Sequence, residues 1–320
     1  MIVNEDFLSN NVSKNESSLV VSTQRCYFLD SLNNYEAGGL LYIESIVTTV
    51  INFIGAFIAS FGNGIILLTF WKSKQLRSKS QLFLWCLAFA DFVTGSVVQP
   101  FYGAYKIAYI IGKVSTLTCV FGVILETVAW FSAALSCALV AAIISERYLA
   151  LHYHMRYHVV VTTKKVVILI AFLLVNMAIL SLSRFAMTDV TPFFYVNIAG
   201  ILFSLSTLII CYWKIYKHVR RHFRQIQDHG SRESRRKDVQ RLKKSSRNMA
   251  YVALLYIISY MPFTCVLCVY LSCGFTSSVE VAYDVTRTVA FMNSSWNPFI
   301  YFWKLNELRE AVKKVMRYTS

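Results

Sequence analysis

The sequence predicts an all-α membrane protein, a seven-transmembrane helix bundle with a short amphipathic eighth helix. Hydrophobic residues make up 56% of the 320 residues and charged residues only 15%, whereas a soluble domain is about a quarter charged. The mean hydropathy is +0.49, and the apolar residues form long runs instead of alternating along the chain. This composition excludes a disordered chain, a collagen and most soluble enzymes.

Seven runs are long enough to cross the hydrocarbon core of a bilayer, which takes about 20 apolar residues of helix. They occupy residues 41–71, 81–103, 115–149, 165–183, 193–218, 245–272 and 281–303. We number them spans 1 to 7. The third and seventh spans are the least clean, because each contains charged residues. The runs are too long for barrel strands and lack a period of two, so a transmembrane β-barrel is excluded.

Charge predicts the orientation of the spans. Most of the 32 lysines and arginines fall in loops on one side, and the positive-inside rule places that side in the cytosol. The N-terminus is therefore expected outside. The net charge of +15 is explained by cytosolic loops that meet anionic lipids and protein partners, without nucleic acid.

Three regions follow from this arrangement. Residues 1–40 are an extracellular tail, expected to be disordered and to be glycosylated at Asn11 and Asn15, which begin acceptor sequons. The tail lacks a basic region followed by an apolar core, so no cleavable signal peptide is expected. Residues 41–303 form the membrane domain, and residues 304–320 form the amphipathic helix 8 and a short cytoplasmic tail.

Ionisable side chains inside the spans are the candidates for function, because they are costly in a membrane. Asp91 lies in span 2, Glu126 lies toward the outer end of span 3, and an acid-Arg-Tyr triplet closes span 3 on the cytoplasmic side. A lone Asn or Ser in a span is more often a packed interhelical hydrogen bond. An ordered set of such residues on successive spans is harder to explain in that way.

The whole set resembles the rhodopsin-like (class A) G-protein-coupled receptor family, over about residues 41–317. The resemblance rests on motifs that occur in the family's order. They are Gly62-Asn63 in span 1, Leu87 to Asp91 in span 2, Glu146-Arg147-Tyr148 in span 3, Tyr212 in span 5, Pro262 in span 6 and Asn297-Pro298-Phe299-Ile300-Tyr301 in span 7.

The resemblance implies a plasma-membrane receptor that binds an extracellular ligand and activates a heterotrimeric G protein by opening the cytoplasmic face at helix 6. Arrestin, receptor kinases and membrane lipids are the further partners it implies. The alternative is a multi-span transporter or ion-translocating protein, which predicts inverted repeats and broken helices; neither is visible in the sequence. An enzyme is not expected, since the six histidines lie in or beside cytoplasmic loops.

The resemblance also implies an allosteric sodium site and no other cofactor. Asp91 supplies the charge, and Ser136, Asn293, Ser294 and Asn297 are its neutral partners. A buried carboxylate needs a cation, a proton or several donors. The alternative is a protonated Asp91 in a water network.

The activation switch implied by the resemblance centres on Arg147. Glu146 holds Arg147 in the resting receptor, and activation moves Arg147 toward Tyr212 and Tyr301. The remaining members of the switch are Tyr148, Pro262 and Pro298. The inner end of span 6 reads Arg241-Leu242-Lys243-Lys244, without the acid that restrains this arginine in many family members. The sequence therefore predicts raised basal signalling.

A typical biogenic amine is not expected as the ligand, because Ala129 stands where amine receptors carry an aspartate. Linkage to retinal is not expected either, because Phe291 stands where opsins carry a lysine. Glu126 pairs either with a cationic ligand or with Arg287, and Asp284 is spaced to pair with Arg287. The candidate ligand-binding residues are Glu126, Trp130, Phe131, Tyr260, Phe263, Thr264, Arg287 and Phe291.

Departures from the family pattern concern the outer loops. The stretch from Arg184 to Val196 has no cysteine, so the usual bridge to it is impossible. Among the cysteines near the outer side the expected disulfide is Cys26–Cys273, with Cys119 as the third candidate. The short second outer loop resembles that of melanocortin receptors, whereas Asn297 is closer to adenosine receptors. The sequence does not name the ligand, and both a peptide and a small molecule stay open.

Overall fold

The computed structural model describes residues 2–3, 25–26, 39–72, 79–111, 116–153, 156–228, 233–274, 276–304 and 309–312. Within them the chain is helical except for one short antiparallel pair of strands and the connecting turns. The elements are β1 (Ile2–Val3), β2 (Arg25–Cys26), α1 (Gly39–Lys72), α2 (Lys79–Val93), a π-helical turn (Thr94–Val98), α3 (Gln99–Ile110), α4 (Thr116–Tyr153), α5 (Tyr157–Val160), α6 (Thr163–Ser183), α7 (Thr191–Asp228), α8 (Glu233–Cys273) and α9 (Ser277–Lys304).

The helices confirm the predicted bundle. Spans 1, 3, 4, 5, 6 and 7 are α1, α4, α6, α7, α8 and α9, and span 2 is α2, the π-helical turn and α3. Six of the seven are long and apolar enough to cross a membrane. The seventh, α9, has 28 residues and is about 42 Å long at 1.5 Å per residue, but its charged and amide side chains lower its hydropathy. Below, the end of the bundle at which α1 begins is called the outer end.

Packing explains why α9 tolerates polar residues. It lies between α1 and α8, and α1 also packs against span 2. The Asn52 amide donates to Thr288 Oγ1 at 3.0 Å, the Asn63 amide donates to the Ser294 carbonyl at 3.1 Å, and Ser295 Oγ donates to the Gly55 carbonyl at 3.0 Å. These bonds follow one interface from the outer half to the middle of the bundle, so the polar face of α9 points inward.

Glycine permits close approach of the helices at two points, one between α1 and α9 and one between α1 and span 2. A Cβ on Gly62 would lie 2.8 Å from the Pro298 side chain, and a Cβ on Gly95 would lie 2.6 Å from both the Ala59 side chain and the backbone nitrogen of Ser60. Gly95 belongs to the π-helical turn, where one extra residue is accommodated in span 2. The side chains of α3 are therefore rotated about the helix axis relative to the positions they would have in a continuous α-helix.

The outward faces of the spans are apolar. Phe57, Phe61 and Trp71 on α1, with Phe203 on α7, are more than 60% exposed. Large exposed apolar side chains on every side of a helix bundle are expected where the solvent is lipid.

The predicted disulfide Cys26–Cys273 is wrong. Cys273 ends α8 as an exposed free thiol, whereas Cys119, in the first turn of α4, is disulfide-bonded. Both lie near the outer end, and the sequence offered no signal to choose between them because residue spacing does not determine which ends of the bundle meet.

Two other predictions fall partly or wholly outside the described residues. Asn11 and Asn15 lie outside them. Of the predicted helix 8, residues 309–312 are described and helical, and Val312 is fully buried, as an apolar side chain of an amphipathic helix should be. Helix 8 as a whole stays a prediction.

Candidate functional site

Six charged side chains form an alternating chain across the outer half of the bundle. We call them the outer charge cluster. In order of contact they are Glu44, Lys106, Asp284, Arg287, Glu126 and Arg184. Three acids alternate with three bases, so the cluster is neutral when all six are ionised, and its members come from α1, α3, α9, α4 and the C-terminal end of α6. The cluster therefore connects five of the seven spans at one level.

Glu126 is the most heavily bonded member of the cluster. Its Oε1 accepts from Arg287 Nη1 at 2.7 Å, and its Oε2 accepts from Arg184 Nη1 and, at 3.0 Å, from the Trp130 indole nitrogen. A buried carboxylate needs such donors to remain charged. Of the two predicted roles for Glu126, pairing with Arg287 is confirmed.

Arg287 joins the two halves of the cluster. Besides its bond to Glu126, its Nη2 donates to Asp284 Oδ1 at 2.7 Å, so the predicted neighbour pair within α9 is also present. The guanidinium lies 4.9 Å from the ring centroid of Tyr102 and 5.0 Å from that of Tyr283, within cation–π range. Arg287 is only 7% exposed, and its Nε has no hydrogen-bond partner among the residues that the structure describes.

Lys106 anchors the other end of the cluster. It forms an ion pair with Asp284 and a second with Glu44 Oε2 at 3.3 Å. Glu44 also accepts from Thr48 Oγ1 at 3.0 Å, and Tyr102 donates to the same threonine at 3.1 Å. Lys106 is 1% exposed, so this end of the cluster is sealed from solvent.

An aromatic layer adjoins Glu126 and Arg184. The Trp130 ring centroid lies 5.2 Å from that of Phe193, 5.9 Å from that of Phe194 and 5.8 Å from that of Phe263. The Arg184 guanidinium lies 5.9 Å and 5.8 Å from the centroids of the two α7 phenylalanines. The layer places apolar surface directly beside Arg184 and the Glu126 carboxylate.

The remaining predicted ligand residues are more dispersed. Tyr260 is buried and stacks on Tyr256 with centroids 4.4 Å apart, and Thr264 Oγ1 donates to the Tyr260 carbonyl one turn earlier. Phe291 packs edge-on against Tyr102 at 6.1 Å, and Phe131 packs against the main core. Of the eight candidates, the structure brings Glu126, Trp130, Phe263 and Arg287 together.

Asp91 occupies the middle of the bundle and is fully buried. Its Oδ1 accepts from Ser294 Oγ at 2.7 Å and its Oδ2 accepts from the Asn297 amide at 2.8 Å. Ser136 and Asn293 are also buried but are not hydrogen-bond partners of Asp91 in the described part of the chain. Two of the four predicted neutral partners therefore contact the carboxylate.

The end of α4 opposite the outer end carries the predicted Arg147 switch. Arg147 Nε lies 3.5 Å from Glu146 Oε2, and the other oxygen of this carboxylate accepts from the Tyr157 hydroxyl in α5. Burial, followed by the Glu146 carboxylate, raises the pKa of Tyr157 above its usual range. The phenol therefore stays protonated and donates at every physiological pH, and this contribution is lost only when strong alkali deprotonates the phenol.

The structure gives no direct contact between the other switch residues and the Glu146–Arg147 pair within the described part of the chain. The Tyr148 ring stacks on His152 with centroids 5.6 Å apart and lies 5.3 Å from Lys214 Nζ. Tyr301 is buried, and its hydroxyl has no hydrogen-bond partner within the described part of the chain. Tyr212 is half-buried.

Each of the two predicted kink prolines lies inside its helix. Pro262 is in α8 and Pro298 is in α9. A proline in this position removes a backbone donor from the helix ladder. These are the positions that the predicted hinge requires.

Sequence reasoning missed four residues of these sites. Glu44, Lys106 and Arg184 belong to the outer charge cluster, and Tyr157 bonds Glu146. Lys106 and Arg184 fall just beyond the predicted ends of spans 2 and 4, where cations are ordinarily read as solvent-exposed flanks. Glu44 lies inside predicted span 1. The rule that an ionisable group within a span indicates function would have identified it from the sequence.

The chain belongs to the 7 transmembrane receptor (rhodopsin) family, whose profile matches residues 62–194 and 187–301. It is 24% identical to trace amine-associated receptor 6 of Pan troglodytes, covering 94% of this chain and 93% of that receptor. It is 26% identical to the histamine H2 receptor of Cavia porcellus, covering 84% and 79%. It is 22% identical to the adenosine receptor A2a of Canis lupus familiaris, covering 82% and 70%.

Family membership establishes the coarse function. The protein is a multi-pass receptor of the plasma membrane that signals through G proteins, and it is not an enzyme. The predicted likeness of its second outer loop to that of melanocortin receptors stays a prediction.

Proposed function

We propose that this receptor binds an extracellular ligand at the outer charge cluster and transmits the signal to Arg147. The observation that carries the proposal is the cluster itself, because its chain of ion pairs joins five spans and the Glu126–Arg287 pair connects its two halves. A ligand that changes either group alters the contacts of several spans at once. The N-terminus is extracellular in this proposal, as the distribution of basic residues predicts.

The proposed inner response is an opening of the cytoplasmic face at α8. Pro262 supplies the hinge, and Arg147 leaves Glu146 for Tyr212 and Tyr301. The unpartnered hydroxyl of Tyr301 supports this step, since a buried donor gains from meeting a new partner. The opened face receives the heterotrimeric G protein, and arrestin and receptor kinases are its further proposed partners.

Sodium at Asp91 is proposed as an allosteric regulator. The donor set fits, because the carboxylate is neutralised by no buried cation in the described residues and is bonded only by neutral Ser294 and Asn297. Sodium supplies a counter-charge at this position, and Ser136 and Asn293 are the nearby neutral groups predicted to complete the site.

A signalling assay tests the proposal directly. Cyclic AMP and calcium are measured in cells expressing the wild type or Arg147→Ala, with exposed Lys164→Ala as a control that removes a charge near the same membrane face. Surface expression is matched by labelling. We expect basal or ligand-driven signal in the wild type and in Lys164→Ala, and its loss in Arg147→Ala. Equal signals in all three variants would contradict the proposal.

A further inference from the structure

At the Glu126 end of the outer charge cluster, the acceptor positions of the carboxylate are nearly used, whereas the donors of the two arginines are not. Glu126 already accepts three hydrogen bonds, and an ionised carboxylate offers about four acceptor positions. Each guanidinium offers five N–H groups. Arg287 uses both Nη atoms, but its buried Nε has no partner in the described ranges. Arg184 donates through Nη1. An incoming group therefore meets spare donors and few spare acceptors.

Exposure points to the same end of the cluster. The side chain of Arg184 is 14% exposed, that of Glu126 is 11% exposed, and those of Lys106 and Glu44 are 2% and 3% exposed. A molecule arriving from the outer side reaches Arg184 first. Beside it lie the rings of Phe193, Phe194 and Trp130, which suit an aromatic body.

We infer that the ligand of this site is an aromatic carboxylate, whose carboxylate group takes over the donors that Glu126 occupies in this structure. Glu126 is itself a carboxylate held by two guanidinium groups and an indole N–H, so the site is already arranged for that group. Arg184 and the spare Nε of Arg287 bind the incoming charge, and the aromatic layer binds the ring. The inference rests on the proposed function, since it names the ligand class of the same site.

The same geometry disfavours an amine. A cationic ligand needs Glu126, and it has to displace Arg184 and Arg287, both of which are closer than 3 Å to that carboxylate. Ala129, one turn further along α4, is buried and offers no acceptor side chain. The amines named by two of the relatives therefore require a free carboxylate, whereas Glu126 is occupied by two arginines and Ala129 carries no acid.

Thermal shift of the purified full-length receptor in lipid nanodiscs tests the inference. The probes are matched pairs that differ in charge, namely indole-3-acetate against tryptamine and phenylacetate against phenethylamine. We expect at least one carboxylate to raise Tm by about 5 °C when it is about 100-fold above its Kd, and we expect its amine partner to have no effect. Stabilisation by an amine, or by no carboxylate of the panel, overturns the inference.

Three variants test whether the ligand competes with Glu126, because one should weaken binding, one should strengthen it and one should leave it unchanged. Arg184→Gln removes the outermost donor and should abolish the shift. Glu126→Gln removes the internal competitor and should lower the apparent Kd of the carboxylate about tenfold. Asp189→Asn removes an exposed acid from the same outer face and should leave the Kd unchanged. A weaker affinity in Glu126→Gln contradicts competition between the ligand and Glu126.

Signalling separates failure of this inference from failure of the proposed function. Arg147→Ala should still show the thermal shift with the carboxylate and should lose the second-messenger response. Carboxylate binding without any Arg147-dependent signal leaves the inference standing and refutes the proposed function. An Arg147-dependent response to amines alone leaves the proposed function standing and refutes the inference.

Discussion

The hydroxyl of Tyr157 donates to the carboxylate of Glu146 from the opposite side to Arg147. Lys79 braces the same tyrosine, with its ammonium 5.7 Å from the ring centroid and its Nζ bonded at 2.6 Å to the carbonyl of Val161. Three segments, α2, α4 and α5, thus fix the orientation of the acid that faces the switch arginine.

Removing the Tyr157 hydroxyl should raise basal signalling. Tyr157→Phe keeps the ring but deletes a hydrogen bond worth about 1 kcal/mol, which is about a fivefold change in a two-state equilibrium. Ligand-free cyclic AMP and calcium are the measurements. Tyr153→Phe, an exposed tyrosine near the end of α4, is the matched control. A basal signal at or below the wild-type level in Tyr157→Phe contradicts a holding role for the bond.

Breaking the sealed end of the outer charge cluster should destabilise the fold. Lys106→Met leaves the acids Glu44 and Asp284 without their shared cation, and removing one partner of a buried pair costs about 3 kcal/mol. Adding Glu44→Gln removes one of the stranded charges and should restore part of the loss. Tm in nanodiscs is the measurement, and Lys164→Met, an exposed lysine, is the control. A Tm of Lys106→Met equal to that of the control argues against the ion pairs.

Gly95, at the interface between the first two spans, should resist enlargement. Gly95→Ala places a methyl group 2.6 Å from a backbone nitrogen in α1, which cannot move aside, so a loss of about 1–3 kcal/mol is expected. Gly200→Ala is the control, because nothing lies within 4 Å of its added methyl, and replacing a glycine inside a helix should be neutral or slightly stabilising. Urea or thermal unfolding compares the two, and equal stability refutes the close packing.

The disulfide of Cys119 should contribute to stability. Cys119→Ser removes a bridge that is typically worth about 2–4 kcal/mol, whereas Cys273→Ser replaces an exposed free thiol and should be neutral. Tm with and without a reducing agent is the readout. A reducing agent that lowers the Tm of Cys119→Ser as much as that of the wild type contradicts this assignment.

Sodium should stabilise the receptor through Asp91. Replacing NaCl by choline chloride at constant ionic strength should lower the ligand-free Tm of the wild type and leave Asp91→Asn unchanged, because the neutral amide has no charge to offer the ion. Asp189→Asn removes an exposed carboxylate and should keep the wild-type response. An equal sodium response in Asp91→Asn argues for the alternative, a protonated Asp91 among waters.

The sequence predicted the spans well because lipid imposes a single demand on length and apolarity. The helix motifs around Asp91 and Arg147 were also predicted, since their order along the chain is specific. The outer charge cluster was predicted only at Glu126, Asp284 and Arg287. The residues that α1, α3 and the end of α6 contribute reach the cluster only if each helix has the right rotation about its axis. The π-helical turn before α3 changes the rotation of that helix in a way that hydropathy does not reveal.

The low hydropathy of α9 has a consequence for biosynthesis. An aspartate or arginine entering a bilayer alone is unfavourable by about 2.5–3.5 kcal/mol at mid-membrane, so α9 is poorly suited to insert by itself. Lys106 and Glu126 are synthesised long before Asp284 and Arg287. When α9 is made, its aspartate and arginine can therefore pair with counter-ions that are already in the bundle. Integration of the last helix into the membrane is thereby coupled to correct assembly of the earlier ones.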